Sequence, residues 1–451
     1  MKPFLLSLCL SITALSISTL CPAANLSRVN VKADGAEATG GNSFAGAVSG
    51  DGKRVVFATL ANNLDPADTN AVVDVYLKDL NTGTLTLVSV GPNGVGNASS
   101  NLPQISNDGN FVAFVSTATN LLANNADTNG VADVFVYKVA DATLERVSVS
   151  SAGDQAIGAS GAGVCAANCF SLSADGRYVA FESLAANLAA PDNDTLSDIF
   201  RRDRQTGTTI LISQTTAGTV GGGTIGSNRP SISADGRFVA FESSRILEAS
   251  DTNSTGDIYL RDVTAGTTTR VNTSASGGFT TTGFSARPSI SDDGKLVAFR
   301  SLSNELVPGD NSSVNQRDLF VKDTNSGAIG RITPAGAEPN GDSNELSLSG
   351  DGKVLVFHSA ASNFVAGDSN NFLDVFRIVL ATGAIERISV ANAGTESGND
   401  SSFPSTNVDG NVTVFESIAN NLVANDTNTR TDIFQSVIPS NPDFIFANGF
   451  E

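Results

Sequence analysis

Residues Ser231–Ser243 read SISADGRFVAFES. A short alternating run leads into Asp235-Gly236, and a second run, Phe238-Val239-Ala240-Phe241, leaves it. Asp-Gly between two such runs marks a β-hairpin, because glycine takes positive φ without a Cβ clash. The phrase recurs along the chain as VSGDGKRVVFATL (48–60), ISNDGNFVAFVST (105–117), LSADGRYVAFESL (172–184), ISDDGKLVAFRSL (290–302), LSGDGKVLVFHSA (348–360) and NVDGNVTVFESI (407–418). With the copy quoted first there are seven hairpins, turning at Asp51-Gly52, Asp108-Gly109, Asp175-Gly176, Asp235-Gly236, Asp293-Gly294, Asp351-Gly352 and Asp409-Gly410.

A second element follows each hairpin. It is an Asp-led loop entering a third strand, as in DTNAVVDVYLKD (68–79) and DTNSTGDIYLRD (251–262). Most copies then turn through glycine into a fourth strand such as LERVSV (144–149) or IERISV (385–390). Four short strands per unit and no helical period make each unit one blade of an all-β, seven-bladed propeller. The seventh unit stops after its third strand near Val437, whereas Leu26–Val31 (LSRVNV) carries the fourth-strand pattern at the other end of the chain. The N-terminal strand is therefore expected to complete the last blade and remove two exposed sheet edges. The closing aspartates of the loops recur every 56–65 residues, from Asp74 to Asp432. WD-type blades repeat every ~40–45 residues, and this chain has no Trp.

The hairpin phrase followed by an Asp-Thr-Asn loop and DIYLRD resembles the TolB-like, WD40-like propeller repeats of bacterial envelope proteins, over residues 25–437. The resemblance implies the propeller fold and a protein-interaction platform in the periplasm. Related propellers also precede the hydrolase domain of prolyl-oligopeptidase-type enzymes. No stretch of this sequence corresponds to the N-terminal domain of TolB or to an α/β-hydrolase domain.

Residues 1–24 read as a secretory signal, with Lys2, an apolar stretch to Leu20 and small residues Ala23-Ala24 for cleavage. Three parts are thus expected: signal 1–24, propeller 25–437 and a tail 438–451 ending IFANGFE. The tail resembles a short ending of exported gammaproteobacterial proteins, and packing against the propeller is the other reading. Export implies a periplasmic or secreted bacterial protein, without a membrane span once the signal is gone, and a monomer is expected. The net charge of −19 excludes nucleic acid as a partner and favours cations or basic partners. In an oxidising compartment Cys165 and Cys169 are expected to pair as a local disulfide.

The Asp loops offer hard oxygens at the spacing Asp-x-Asn/Asp-x-x-x-Asp, which suits calcium. The candidate ligands are Asp68, Asn70 and Asp74; Asp127, Asn129 and Asp133; Asp192, Asp194 and Asp198; Asp251, Asn253 and Asp257; Asp368, Asn370 and Asp374; and Asp426, Asn428 and Asp432. Asp310 with Asp318 is a longer copy. Asx-turns that cap the third strand are the other reading. The single histidine, His358, occupies the strand position held elsewhere by Glu182, Glu242, Arg300 or Glu416. It reads as a variable strand residue, and no G-x-S-x-G elbow is present. The sequence thus predicts no enzyme but a platform for a protein or peptide. A hydrolase or lyase acting on carbohydrate or peptide at the channel mouth is the alternative. Arg229 and Arg287, each before a proline at an innermost strand, are candidate grips for a carboxylate or acidic peptide.

Overall fold

The computed structural model describes residues 25–439, apart from 124–125, 162–167, 254, 311–315 and 336. The expected signal 1–24, Cys165 and tail residues 440–451 lie outside them. Among the described residues there is no α-helix. The chain forms seven four-stranded sheets. In blade 4 the strands, from the axis outward, are Ser227–Ile232, Phe238–Ser243, Asp257–Asp262 and Thr267–Arg270. The other blades repeat this order, and neighbouring blades touch through their inner strands.

Blade 7 consists of Ser401–Thr406, Val412–Ser417 and Asp432–Val437, completed by Asn25–Arg28. The N-terminal strand pairs antiparallel with Asp432–Val437, with Leu26 opposite Ser436 and Arg28 opposite Phe434. Val29 N–H continues the ladder to Ile433 O at 2.8 Å, so the closure expected from the strand count is present.

The outermost strands are shorter than the sequence suggests. In blade 1 the strand is Leu85–Leu87, because Ser89 then takes over from the backbone. Its Oγ accepts Val75 N–H at 3.0 Å and donates to Asp74 Oδ1 at 2.6 Å.

The recurring aromatics are the core. The Phe ending each second strand faces the Phe or Tyr of the third, as Phe57 faces Tyr76, and the rings stack at centroid distances of 5.6–6.0 Å in all seven blades. The Asp-Gly glycines all have φ between +65° and +74°. Gly236 shows why glycine is also needed for space: a Cβ there would lie 2.1 Å from the ring of Tyr178 in the preceding blade.

Candidate functional site at the channel mouth

Prolines build the site. Pro103, Pro230, Pro288 and Pro404 sit inside innermost strands, where they have no N–H to give the second strand. Each strand therefore bulges. In blade 4 the register steps from Asn228 opposite Glu242 to Ser231 opposite Ala240. The residue before each proline takes positive φ: Leu102 at 52°, Arg229 at 51°, Arg287 at 57° and Phe403 at 50°. Ala45, before Gly46, does the same in blade 1 at 54°. Left-handed backbone in a non-glycine residue costs on the order of 1–3 kcal/mol. Blade 6 departs from the pattern: Leu346 replaces the proline, and the shorter bulge carries Glu345.

These bulges ring the open end of a cavity of about 440 Å³ that runs along the axis, a size suited to a small ligand or peptide end. Ser171, Ser231, Ser289, Ser347 and Ser405 line it deeper in. Ser231 Oγ accepts Ile290 N–H at 3.1 Å and Ser289 Oγ accepts Leu348 N–H at 3.0 Å, which leaves the hydroxyl protons to donate inward.

The opposite end is drawn shut. Backbone hydrogen bonds link the turns around the axis: Gly50 N to Asn107 O (2.9 Å), Asp108 N to Ala174 O (3.1 Å), Ala174 N to Ala234 O (3.0 Å), Ala234 N to Asp292 O (3.0 Å), Asp292 N to Gly350 O (2.8 Å), Asp351 N to Val408 O (2.9 Å) and Val408 N to Gly50 O (3.2 Å). Asn107 Nδ2 crosses from blade 2 to blade 5 and donates to both oxygens of Asp292, at 3.1 and 3.0 Å.

Charge gathers on one side of the mouth, in blades 4 to 7. Arg229 Nη1 is 3.0 and 2.9 Å from the two carboxylate oxygens of Glu242, and Arg287 pairs with Glu345. Arg229 and Arg287, the expected grips, directly precede the cavity-lining Pro230 and Pro288 and are already engaged. Arg300 Nη1 donates to Asn344 Oδ1 and, among the described residues, makes no ion pair. Burial pushes its pKa down to about 10, with the Arg287 charge adding to the effect. In the sequence Arg300 stands only as a variant of the Glu/His position. Its surplus charge emerges only when neighbouring blades are brought together.

The recurring position of Glu242, His358 and Glu416 has a structural task. Its side chain accepts the N–H of the next blade's bulge residue: Glu242 Oε2 from Arg287 (3.3 Å), His358 Nδ1 from Phe403 (3.3 Å) and Glu416 Oε1 from Ala45 (2.5 Å). Burial, then the charges of Arg287 and Arg300, push the His358 pKa down to about 4, so it is neutral at pH 7. Burial raises Glu416 to about 7, and the charge of Glu345 acts in the same direction. Glu182 is fully buried at the same position in blade 3.

The Asp loops are filled from within. Arg146 Nη1 stands 3.3 Å from both Asp127 Oδ1 and Asp133 Oδ2. Arg387 Nη1 bridges Asp368 Oδ1 and Asp374 Oδ2 at 3.0 and 3.1 Å, and Arg28 Nη1 bridges Asp426 Oδ1 and Asp432 Oδ2 at 3.2 Å each. Arg270 Nη1 bridges Asp251 Oδ1 and Asp257 Oδ2 at 3.6 and 3.0 Å, and Arg331 pairs likewise with Asp310 and Asp318. In blade 3 Arg245 reaches over from blade 4 to Asp194 (2.9 Å) and Asp198 (3.0 Å). Asn129, Asn253, Asn370 and Asn428 spend Oδ1 on the N–H two residues ahead, as Asx-turns do. The acid groups Asp192–Asp194–Asp198 and Glu37–Asp426–Asp432 are close enough to hold a metal, yet both contain a guanidinium. In blades 2 to 7 a guanidinium thus stands against the acids expected to hold calcium. The signal was in the sequence, as the Arg ending the fourth strand in LERV, TTRV, IGRI, IERI and LSRV.

No protein-family model matches the sequence, and no curated protein matches it. Solved structures do. An oligogalacturonate lyase in complex with manganese is 15% identical, with TM-score 0.52 over 92% of this chain and 93% of that one. The β-propeller domain of the Trilobed protease from Pyrococcus furiosus, of open velcro topology, is 10% identical, with TM-score 0.51 over 83% of this chain and 91% of that one. TolB from Acinetobacter baumannii is 15% identical, with TM-score 0.40 over 86% of this chain and 80% of that one. The expectation that the protein is no enzyme is overturned here, since the propeller is shared over nearly the whole of both chains with a lyase. What these likenesses show is the fold alone: the chain is a seven-bladed β-propeller.

Proposed function

We propose that the protein is an exported propeller that receives an acidic peptide or protein segment at the proline-bulge mouth. The observation that carries this reading is Arg300, a partly buried guanidinium without an ion-pair partner among the described residues, beside the engaged Arg229 and Arg287 at the open end of a blind cavity. A carboxylate entering there meets a cation that costs little further desolvation and can be gripped bidentately. With Glu416 protonated, three arginines face two carboxylates on that side. The overall charge of −19 opposes long-range attraction of an anion, so recognition is short-range. The reading keeps residues 1–24 as a signal and Cys165–Cys169 as a disulfide, which thiol titration of the mature protein checks.

A second reading rests on Glu416. A carboxyl titrating near 7 beside a cationic cluster suits general acid–base work, and an acidic oligosaccharide of the kind acted on by the similar lyase would present carboxylates to the same arginines. Calorimetric titration with an acidic peptide, its amide-capped neutral counterpart and an oligogalacturonate separates the two. Arg300→Met should abolish binding of the acidic peptide and leave the melting temperature nearly unchanged. Equal affinity for acidic and neutral peptides would end the first reading. Release of an unsaturated product from the oligosaccharide, lost in Glu416→Gln, would establish the second.

A further inference from the structure

Blade 1 breaks the arginine rule. In blades 2, 4, 5, 6 and 7 one Nη1 atom bridges Oδ1 of the first aspartate and Oδ2 of the last. Blade 1 has Leu87 at the position of those arginines, buried to 6% exposure, and among the described residues no neighbouring arginine reaches in as Arg245 does for blade 3. Yet both acids are retained, Asp68 at 5% and Asp74 at 0% exposure. Their other oxygens are held: Tyr76 Oη donates to Asp68 Oδ2 at 2.8 Å, and Ser89 donates to Asp74 Oδ1 at 2.6 Å. The two oxygens left buried without a hydrogen-bond partner are Asp68 Oδ1 and Asp74 Oδ2. They are the same two that a guanidinium bridges in the other blades.

Blade 4 is the internal control. Tyr259 Oη holds Asp251 Oδ2 at 2.7 Å just as Tyr76 holds Asp68, and Asn272 holds Asp257 Oδ1 at 2.5 Å in the role of Ser89. Arg270 then supplies the cation. Apart from that exchange of Ser89 for Asn272, blade 1 keeps the frame and lacks only the arginine. Two carboxylates buried together without a countercharge are costly; five other blades meet that cost with a cation in this place, and blade 3 with Arg245 against Asp194 and Asp198.

We propose that blade 1 binds one hard divalent cation, calcium, between Asp68 Oδ1 and Asp74 Oδ2. Two carboxylates balance a double charge, and calcium accepts irregular oxygen sets completed by water, whereas magnesium demands a tighter octahedron. Asn70 is turned to its own loop, its Oδ1 accepting Val72 N–H at 3.0 Å and its Nδ2 donating to Gly96 O at 3.1 Å, so the two aspartates supply the charge. The site is singular: one ion per chain rather than one per blade.

The test adds calcium to the chelator-treated full-length mature protein and reads ion stoichiometry by native mass spectrometry and the melting temperature by calorimetry. One retained calcium and a rise of about 2–4 °C are expected at saturating excess, with a smaller response to magnesium. Leu87→Arg supplies the missing guanidinium; it should lose the ion and the calcium response while melting above the metal-free wild type. Should that variant not fold, Asp68→Asn serves instead and should also lose the ion. Wild type that takes up no calcium, or a Leu87→Arg or Asp68→Asn protein that still retains one ion, would overturn the site. So would a wild type indifferent to calcium but stabilised by acidification, because a shared proton would then lie between the two aspartates.

Discussion

The two ends of the axial channel are made by the same seven innermost strands, yet they differ in kind. At the turn end every blade does the same thing: Asp-Gly hairpins meet through backbone hydrogen bonds, and the residues before Asp are mostly small, as Gly50, Ala174, Ala234 and Gly350. At the mouth the backbone bulge is repeated but its side chain is not, running from Ala45 and Leu102 to Arg229, Arg287, Glu345 and Phe403. Uniform residues across blades mark what the ring needs to stand. Variation on a backbone bulge that most blades share marks where the molecule is free to recognise something.

The comparison can be broken or sharpened by substitution. The largest effect is expected from removing Leu26–Val31: the Asp432–Val437 edge is bared, and the protein should aggregate or fail to fold, as size-exclusion chromatography would show. A variant that stays monomeric and melts like wild type would mean that the ring does not need its closing strand. Next come paired truncations. Phe299→Ala, in a stacked core pair, should cost about 3–5 kcal/mol in urea unfolding, whereas Phe403→Ala at the mouth, 40% exposed, should cost under about 1 kcal/mol. Gly350→Ala probes the turn ring, where a Cβ would lie 2.4 Å from Asp292 Oδ2. A loss of about 1–3 kcal/mol is expected, and a silent outcome would show that the ring is looser than its hydrogen bonds imply.

A pH profile supplies the last test. Glu416 has a folded pKa of about 7, above its ordinary 4.5, so the folded state holds the proton more tightly than the unfolded one. Its contribution is fully present below pH 4.5 and is lost as pH rises to 7. Glu416→Gln should remove that slope and leave the variant relatively more stable at pH 8, and an unchanged slope would assign the titration to another group.

The fold was legible because the repeat states it seven times, and the strand count alone placed the N-terminus in blade 7. What repetition could not reveal was contact between blades. Asn107 and Asp292 meet across the axis although 185 residues separate them, and no local pattern announces that. The prolines after Arg229 and Arg287 are legible in the sequence, but the engagement of these arginines with Glu242 and Glu345 depends on packing. In the Asp loops the acids drew attention while the arginine that satisfies them lay ten to twenty residues along the chain in most blades. The histidine was read correctly as a strand residue that changes from blade to blade.

Because its first strand is also its last, the propeller cannot be finished until the whole chain is available. Asn25–Arg28 must wait for Asp432–Val437, and synthesis at ~5–20 residues per second makes that delay roughly 20–80 s. Through that interval the earlier blades can assemble while a strand with strong β-pairing tendency stays without its mate. The seam gives the chain an all-or-none quality that an open array of blades would lack: a molecule cut short anywhere before Val437 is a broken circle, recognisable to a protease by its loose end.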